Sequence, residues 1–386
     1  MIPYGRQEIT QEDIDAVIEV LRSDFLTQGP KVPEFERTCA KKFGASHAVA
    51  VNSATSALHI ACMALELGAS DTLWTSAISF VASANCGLYC GAHVDFVDID
   101  PNTQNLCVRA LEEKLIIAEQ EGRLPSVLVA VHLCGHPCDM QAIHALGTRY
   151  NFKIIEDASH AVGSKYKKEY VGGCKYSDIT IFSFHPVKII TTAEGGIALT
   201  NDQELATKMD LFRSHGVTRD PSLMTGDTHG PWYYQQIALG YNYRMTELQA
   251  ALGLSQIKRL DGIVDRRRKI AMHYDSLLKD FPVVIPRQDP DCDSARHLYV
   301  IRIDPEVSKK KRKDVFEYLR KNGVGVNVHY IPIHLQPYFQ SFGFAPGDYP
   351  KAEKYYDEAI SLPVFPALTD EMLDKVVGIL GEALLR

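Results

Sequence analysis

The 386-residue sequence has no charge-free apolar run long enough to cross a bilayer, and its opening, MIPYGRQEIT, has no basic segment followed by an apolar one. A membrane span and a signal peptide are therefore not expected, and the chain reads as soluble and cytoplasmic. Positive charge is also short. A formal net charge of -7 gives no general attraction to nucleic acid or to an anionic membrane. The basic stretches at 266–269 and 309–313 abut or open helical patterns and read as solvated helix faces. The nine cysteines are odd in number and irregularly spaced, which fits free thiols in a reducing compartment rather than a disulfide frame. Neither G-x-G-x-x-G after the first strand nor G-x-x-x-x-G-K-[ST] occurs, so a dinucleotide fingerprint and a P-loop are unsupported. Without a G-x-S-x-G elbow, Ser159 beside His160 is poor evidence for a hydrolase nucleophile. Internal repeats and low-complexity segments are absent.

What is present is alternation. Thr10 precedes Ile14, Val17, Ile18 and Leu21 at helical spacing, and a second helix is expected over 34–43. "HAVAV" (47–51) reads as a buried strand that opens into the small-residue helix of "NSATSALHIACMALELG". Strands expected at 71–76, 93–99, 126–133, 152–157, 178–184 and 196–200 interleave with helices at 81–89, 109–121, 140–150 and 202–214. Such a pattern predicts an α/β fold with a mainly parallel sheet covered on both faces, binding ligands beyond the carboxyl ends of its strands. Residues 215–244 form a long loop rich in Gly, Tyr, Pro and Thr, of the kind that is usually functional or interfacial. Nearly continuous helix at 246–280 then leads to strands at 296–303 and 324–330 and helices at 311–321 and 369–384. The expected organisation is an N-terminal arm and large domain over 1–245, connecting helices over 246–280, and a small C-terminal domain over 281–386.

Three features carry chemistry. Lys188, in "SFHPVKIITTAEGG", sits in an apolar turn between Pro186 and a glycine pair. Most lysines are solvated surface charges, but an amine in such surroundings is suited to the lowered pKa that imine formation needs. Asp157 ends the strand "KIIED", as a helix cap or as a carboxylate facing a ligand, with Glu156 competing for the role. "NSATS" puts small and hydroxyl residues at a strand-to-helix junction, where free backbone N–H groups can take a phosphate; close helix packing explains the same residues. Together these supply what pyridoxal 5′-phosphate requires: an amine for its aldehyde, a carboxylate for its ring nitrogen and donors for its phosphate. A competing cluster, His132, Cys134, His136 and Cys138 in "HLCGHPC", has alternating spacing unlike a zinc knuckle and reads as a loop, so no metal is expected.

The succession "NSATSALHIA", "VHLCGHPCDM", "IIEDASHAVGSKY", "IFSFHPVKIITTAEGG", "FRSHGVTRD" and "LGYNYRMTELQAALGLSQI" resembles, in order and over nearly the whole chain, the nucleotide-sugar aminotransferase family. The resemblance implies an aspartate-aminotransferase-like fold (pyridoxal-phosphate fold type I), with a large domain built on a mainly parallel mixed sheet and a smaller C-terminal α+β domain. It also implies pyridoxal 5′-phosphate held by Lys188 as an internal aldimine, Asp157 on the pyridine nitrogen and His160 beside the ring. Phe80 would stack on the opposite ring face; Ala54, Thr55 and Ser183 would hold the phosphate. Asn242, in "GYNYR", would reach the phosphate of the other subunit in a homodimer with shared active sites. Tyr4, Asp24, Phe25, Leu26 and Thr27, with His329, Tyr330, Ile331 and Pro332, resemble sugar-nucleotide contacts. The residue meeting the donor's side-chain carboxylate is left open between Arg213 and Arg244.

Related sugar dehydratases carry histidine in place of the lysine, so Lys188 favours amino transfer. "SDFLTQGP", "VHLCGHPCDM" and "WYYQQIALGYNYRMTE" are most similar to the transaminases of pseudaminic acid biosynthesis. These imply L-glutamate as donor and, as acceptor, C4 of a UDP-linked 4-keto-6-deoxy-N-acetylhexosamine, UDP-2-acetamido-2,6-dideoxy-β-L-arabino-hex-4-ulose. Another 4-keto or 3-keto sugar nucleotide is the alternative within enzymes. A non-catalytic sugar-nucleotide-binding protein of the same fold is the alternative outside them.

Overall fold

A computed structural model of the chain describes residues 1–385. Helices α1 (Gln11–Leu21) and α2 (Lys31–Phe43) lead into β1 (His47–Val51), α3 (Ala54–Ala64), β2 (Thr72–Ser76), α4 (Ala82–Tyr89) and β3 (His93–Val97). Then follow α5 (Val108–Gln120), β4 (Val127–Val131), α6 (Met140–Tyr150), β5 (Lys153–Asp157), and the short strands β6 (Lys165–Tyr166) and β7 (Glu169–Tyr170). The large sheet is completed by β8 (Ile179–Ser183) and β9 (Gly196–Thr200), before α7 (Gln203–Arg213) and the ribbon β10 (Val217–Thr218) and β11 (Gln235–Gln236).

The seven-stranded sheet has the order β1-β9-β8-β5-β4-β2-β3. Strands β3, β2, β4, β5 and β8 run parallel, whereas β9 is antiparallel to both of its neighbours. The strands are apolar on both faces, as a sheet covered on two sides requires. Val127, Val129, Val131, Ile155 and Ile181 meet Leu58 and Ala61 of α3, Cys86 of α4 and Met209 of α7. On the other face, Leu128, Ala130 and Ile154 meet Leu111 and Leu115 of α5 and Ile143 and Leu146 of α6, while Phe182 packs with Phe35 and Phe43 of α2.

Beyond the sheet lie α8 (Glu247–Ile257), α9 (Leu260–Leu278), β12 (Cys292–Asp293), β13 (Tyr299–Arg302), α10 (Pro305–Ser308) and α11 (Arg312–Lys321). The chain closes with α12 (Pro337–Gln340), α13 (Pro350–Glu358), β14 (Ala359–Leu362) and α14 (Asp370–Leu385). A separate core joins Ile270 and Tyr274 of α9, Tyr299 and Ile301 of β13, Leu319 of α11, Ile360 of β14 and Val376 and Leu380 of α14. The first residues of the chain join this C-terminal unit: Ile2 exchanges backbone hydrogen bonds with Gly323 and Gly325, and Val364 N–H donates to the Tyr4 carbonyl.

One local expectation differs from the structure, and three local features were not foreseen. The expected strand at 324–330 makes only isolated bridges, Val324 to Ile2 and Asn327 to Ser361, because no continuous strand lies beside it. The partner of β13 is instead β14, antiparallel, in a segment with no strand expected. The long helix breaks at Lys258 and Arg259, where the Arg259 guanidinium reaches Asp13 Oδ2 at 2.7 Å and Glu8 Oε1 at 3.1 Å. The apolar side of α1 does not enter the core; Ile14, Ile18 and Leu21 are exposed.

Candidate active site

One cavity, about 420 Å³, opens at the carboxyl ends of β4, β5 and β8 and the start of α3, and Lys188 lies in its wall. Strand β8 ends at Ser183, ahead of Pro186, which fixes its own φ and has no N–H for the ladder. A tight turn follows, with Lys188 N–H donating to the His185 carbonyl and Thr191 Oγ1 to the Phe184 carbonyl at 2.9 Å. Removal from water outweighs the attraction of Asp157 and brings the Lys188 amine down to about 8.

The two glycines that follow are required by close approach rather than by a left-handed turn. A Cβ on Gly196 would lie 2.5 Å from the Ala54 nitrogen and 2.6 Å from the Ser53 carbonyl carbon. Strand β9 thus lies directly against the start of α3, with no room for a side chain.

At that helix start, Ser53 Oγ accepts from Ser56 N–H at 3.1 Å, and among the described residues the N–H groups of Ala54 and Thr55 have no acceptor. Both residues line the cavity, together with Ser183, whose Oγ accepts from His185 N–H at 3.4 Å. Backbone donors, the Thr55 and Ser183 hydroxyls and the positive end of an eleven-residue helix fit a phosphate.

Asp157 closes the opposite side. Its Oδ2 accepts from Ser83 Oγ at 2.6 Å and its Oδ1 from Ser159 N–H at 3.2 Å. The neighbouring Glu156 is turned away from the cavity, accepting from Ser177 and Thr180 and pairing with His132 Nε2 at 2.7 Å, so the choice between the two carboxylates resolves to Asp157. His160 is buried and held neutral, chiefly by desolvation and further by Lys188 and His329. Its Nδ1 accepts from Cys134 N–H at 3.3 Å, which puts the ring proton on Nε2, 3.1 Å from the Tyr330 hydroxyl. His329 is likewise lowered to about 4, mainly by burial; it accepts from Asn327 Nδ2 on Nε2 and so donates from Nδ1 to Ser361 Oγ at 2.7 Å.

Lys188, Asp157, His160, Ala54, Thr55, Ser183, Phe80, Tyr4, His329 and Tyr330 therefore share one cavity wall. Phe80 is 57% exposed, with its ring 6.1 Å from that of Tyr330. Other candidates lie elsewhere. Asp24, Phe25, Leu26 and Thr27 form an exposed turn beside α8, Ile331 is exposed and Pro332 is buried, none of them lining the cavity. Asn242 is exposed on the segment whose Tyr243 carbonyl accepts from Asn52 N–H, and it too lies outside the lining.

Neither arginine considered for a carboxylate reaches the cavity: Arg213 is engaged by Glu36, Asp210 and the Ala50 carbonyl, and Arg244 donates to Ser214 Oγ. The "HLCGHPC" side chains are partnered separately, His136 with Asn105 and Asp289 N–H and the Cys138 thiol with the Val131 carbonyl. Among the described residues no three His, Cys, Asp or Glu side chains converge as a metal site would need.

Sequence reasoning missed Ser79, His297, Glu194 and Asn327 in the lining. His297 comes from "RHLYVIRI", legible only as a strand; only its contact with His160, at 4.4 Å between ring centroids, marks it. Ser79 adjoins Phe80 and stood one residue from notice.

The donor set and the cradle at α3 fit pyridoxal phosphate, with Lys188 for its carbonyl carbon, Asp157 for its ring nitrogen and the α3 start for its phosphate. Comparison with known proteins agrees with that chemistry. The model of the DegT/DnrJ/EryC1/StrS aminotransferase family matches residues 7–381. The chain is 39% identical over 379 residues to the spore coat polysaccharide biosynthesis protein SpsC of Bacillus subtilis (strain 168), covering 97% of this chain and 95% of that protein. It is 38% identical over 364 residues to the UDP-4-amino-4,6-dideoxy-N-acetyl-beta-L-altrosamine transaminase of Campylobacter jejuni, covering 94% and 92%. Among solved structures, Helicobacter pylori PseC, an aminotransferase involved in the biosynthesis of pseudoaminic acid, superposes with a TM-score of 0.91 at 33% identity, over 100% of this chain and 99% of that one.

Proposed function

The chain belongs to the DegT/DnrJ/EryC1/StrS aminotransferase family, and from that premise we propose that it transfers an amino group from L-glutamate to C4 of a UDP-linked 4-keto-6-deoxy-N-acetylhexosamine. It is a pyridoxal-phosphate-dependent aminotransferase of fold type I. The observation that carries the reading is the convergence of a lowered-pKa lysine, a buried carboxylate and a helix start with free N–H groups at Ala54 and Thr55 in one cavity. The acceptor sugar follows from the transaminase and PseC likenesses, and UDP-2-acetamido-2,6-dideoxy-β-L-arabino-hex-4-ulose is the first candidate.

Pyridoxal phosphate, when bound, supplies the electron sink that lets a proton leave the carbon carrying the amino group. Lys188 is the covalent anchor and, once freed, the base and acid that moves that proton. An amine near pH 8 can do both at neutral pH. Asp157 faces the ring nitrogen, the α3 start and Ser183 hold the phosphate, and neutral His160 lies beside the ring. Phe80 covers the other ring face. Tyr330 receives the His160 proton in its hydrogen bond, which leaves its own hydroxyl hydrogen for a sugar oxygen.

The working unit is a homodimer in the cytoplasm. Exposed Ile14, Ile18, Leu21, Phe25 and Leu26 give α1 and the following turn an apolar face that a second copy would cover, and exposed Asn242 would reach the partner's phosphate. Its nine cysteines are all free. Among the described residues no helix is long and apolar enough to cross a membrane.

The test is a panel of UDP-linked 4-keto and 3-keto sugars given to cofactor-loaded enzyme with glutamate, followed by product configuration. Amination at C4 of the 6-deoxy-N-acetyl acceptor is expected; amination at C3 only, or of none, would overturn the proposal.

A further inference from the structure

The carboxylate that faces the cavity is held by hydroxyls. Among the described residues no Lys, Arg or His forms an ion pair with Asp157; its side-chain partners are the Ser159 N–H and the Ser83 hydroxyl. Ser83 is fully buried in the first turn of α4, and its Oγ lies 2.7 Å from that of Ser79, also buried and part of the cavity wall. Proton accounting gives this chain a direction. An ionised carboxylate only accepts, so Ser83 spends its one hydrogen on Asp157 and must accept from Ser79. Ser79 then has no hydrogen left and turns only lone pairs toward the cavity. Phe80 occupies the same turn, so one short piece of backbone sets both the aromatic edge of the cavity and the carboxylate across from it.

We propose that Ser83, backed by Ser79, is a positioning residue that orients the Asp157 carboxylate toward the ring nitrogen of bound pyridoxal phosphate. This rests on the reading of the cavity given above, in which Asp157 partners that nitrogen. A hydrogen bond to a charged group is a strong one, and the Ser83 hydroxyl, 2.6 Å from a buried carboxylate, is its only side-chain donor among the described residues.

The test uses wild type, Ser83→Ala, Ser79→Ala, the double variant and Ser83→Thr, each stripped of cofactor and titrated with pyridoxal phosphate. Ser83→Ala is expected to weaken cofactor binding by about tenfold. It should also move the pH midpoint of the Lys188-linked absorbance upward, because a ring nitrogen that loses its proton no longer repels the proton at the lysine nitrogen. Ser79→Ala should have a smaller effect in the same direction. In the Ser83→Ala background it should add nothing, since it acts through Ser83.

Ser83→Thr, which keeps the hydroxyl, should restore the midpoint; should its added methyl group unfold the protein, the Ser79→Ala cycle decides alone. A midpoint and affinity unchanged in Ser83→Ala, or a full additive effect of Ser79→Ala on top of it, would overturn the inference. A fall in melting temperature with no movement of the midpoint would mean a structural role only and would overturn it equally. Failure of the wild-type chain to take up pyridoxal phosphate would instead bring down the reading beneath it, and this inference with it.

Discussion

In the proposed reaction a single amine, that of Lys188, would be anchor, base and acid. Replacing it with alanine should abolish turnover and the lysine-linked absorbance while leaving the fold intact, since among the described residues the side chain has no hydrogen-bond partner. Its pH dependence is a sharper check. The neutral amine is the nucleophile, so capture of pyridoxal phosphate by cofactor-free protein should rise about tenfold per pH unit and level off near pH 8, where an ordinary lysine would keep rising toward its usual value near 10.4. Stopped-flow absorbance measures this directly; a rate still climbing steeply at pH 9.5 would contradict the placement of Lys188.

The cavity positions of Lys188 and Asp157 were legible in the sequence because Asp157 ends an apolar strand and Lys188 is the one amine in the apolar turn that follows another. His297 was not, because a buried histidine within a strand pattern looks the same whether it faces a core or a cavity. Glu156 and Asp157 could not be separated by pattern alone. Adjacent residues of a strand point to opposite faces, and only the folded structure shows that Asp157 faces the cavity while Glu156 turns to His132.

Among the elements, the junction of β9 with α3 is the tightest point of the site. Gly196→Ala would drive a methyl group into the backbone of Ser53 and Ala54, which cannot rotate away as a side chain would. A loss of about 1–3 kcal/mol of stability is expected, together with weaker cofactor binding as the phosphate donors shift. Thermal melting with and without pyridoxal phosphate measures both. Glu247 makes a comparable joint between helices: its carboxylate, buried at the start of α8, accepts from the N–H groups of Lys31 at 2.7 Å and Val32 at 3.1 Å in the first turn of α2. Removing it in Glu247→Ala leaves two donors unmet, for an expected cost of about 1–3 kcal/mol with no change in cofactor absorbance.

The alternation of strand and helix made the large sheet readable, because short continuous apolar runs of about five residues, bounded by turn residues, stand apart from the longer helical patterns between them. The C-terminal unit was harder. Residues 324–330 have strand-like composition, but Ile2 and Ser361 offer them only single bridges, and the segment instead supplies Asn327, His329 and Tyr330 to the cavity wall.

For the whole molecule, the sheet domain supplies the wall that would hold the cofactor, while Tyr4 and residues 327–330, tied to the C-terminal unit, supply the side where an acceptor sugar would enter. The boundaries near 245 and 280 remain our proposal; the arm at Ile2 and Tyr4 goes with the smaller unit by its hydrogen bonds. If Asn242 serves the neighbouring subunit, Asn242→Ala should weaken cofactor binding several-fold without altering the cavity of its own chain. Mixed dimers of Lys188→Ala and Asn242→Ala subunits should then recover a site that carries neither change. Ultracentrifugation with activity measured across the dilution series tests the same point, and a fully active, cofactor-retaining monomer would contradict it.

The most direct measurement is a single half-reaction. Enzyme loaded with pyridoxal phosphate is treated with L-glutamate, freed of small molecules, and mixed with UDP-2-acetamido-2,6-dideoxy-β-L-arabino-hex-4-ulose in the absence of any other amine. The expected result is one equivalent of 4-amino sugar nucleotide per active site and the return of the lysine-linked absorbance, with neither in Lys188→Ala. An enzyme that accepts the amino group from glutamate but delivers none to a 4-keto sugar nucleotide would contradict the assignment.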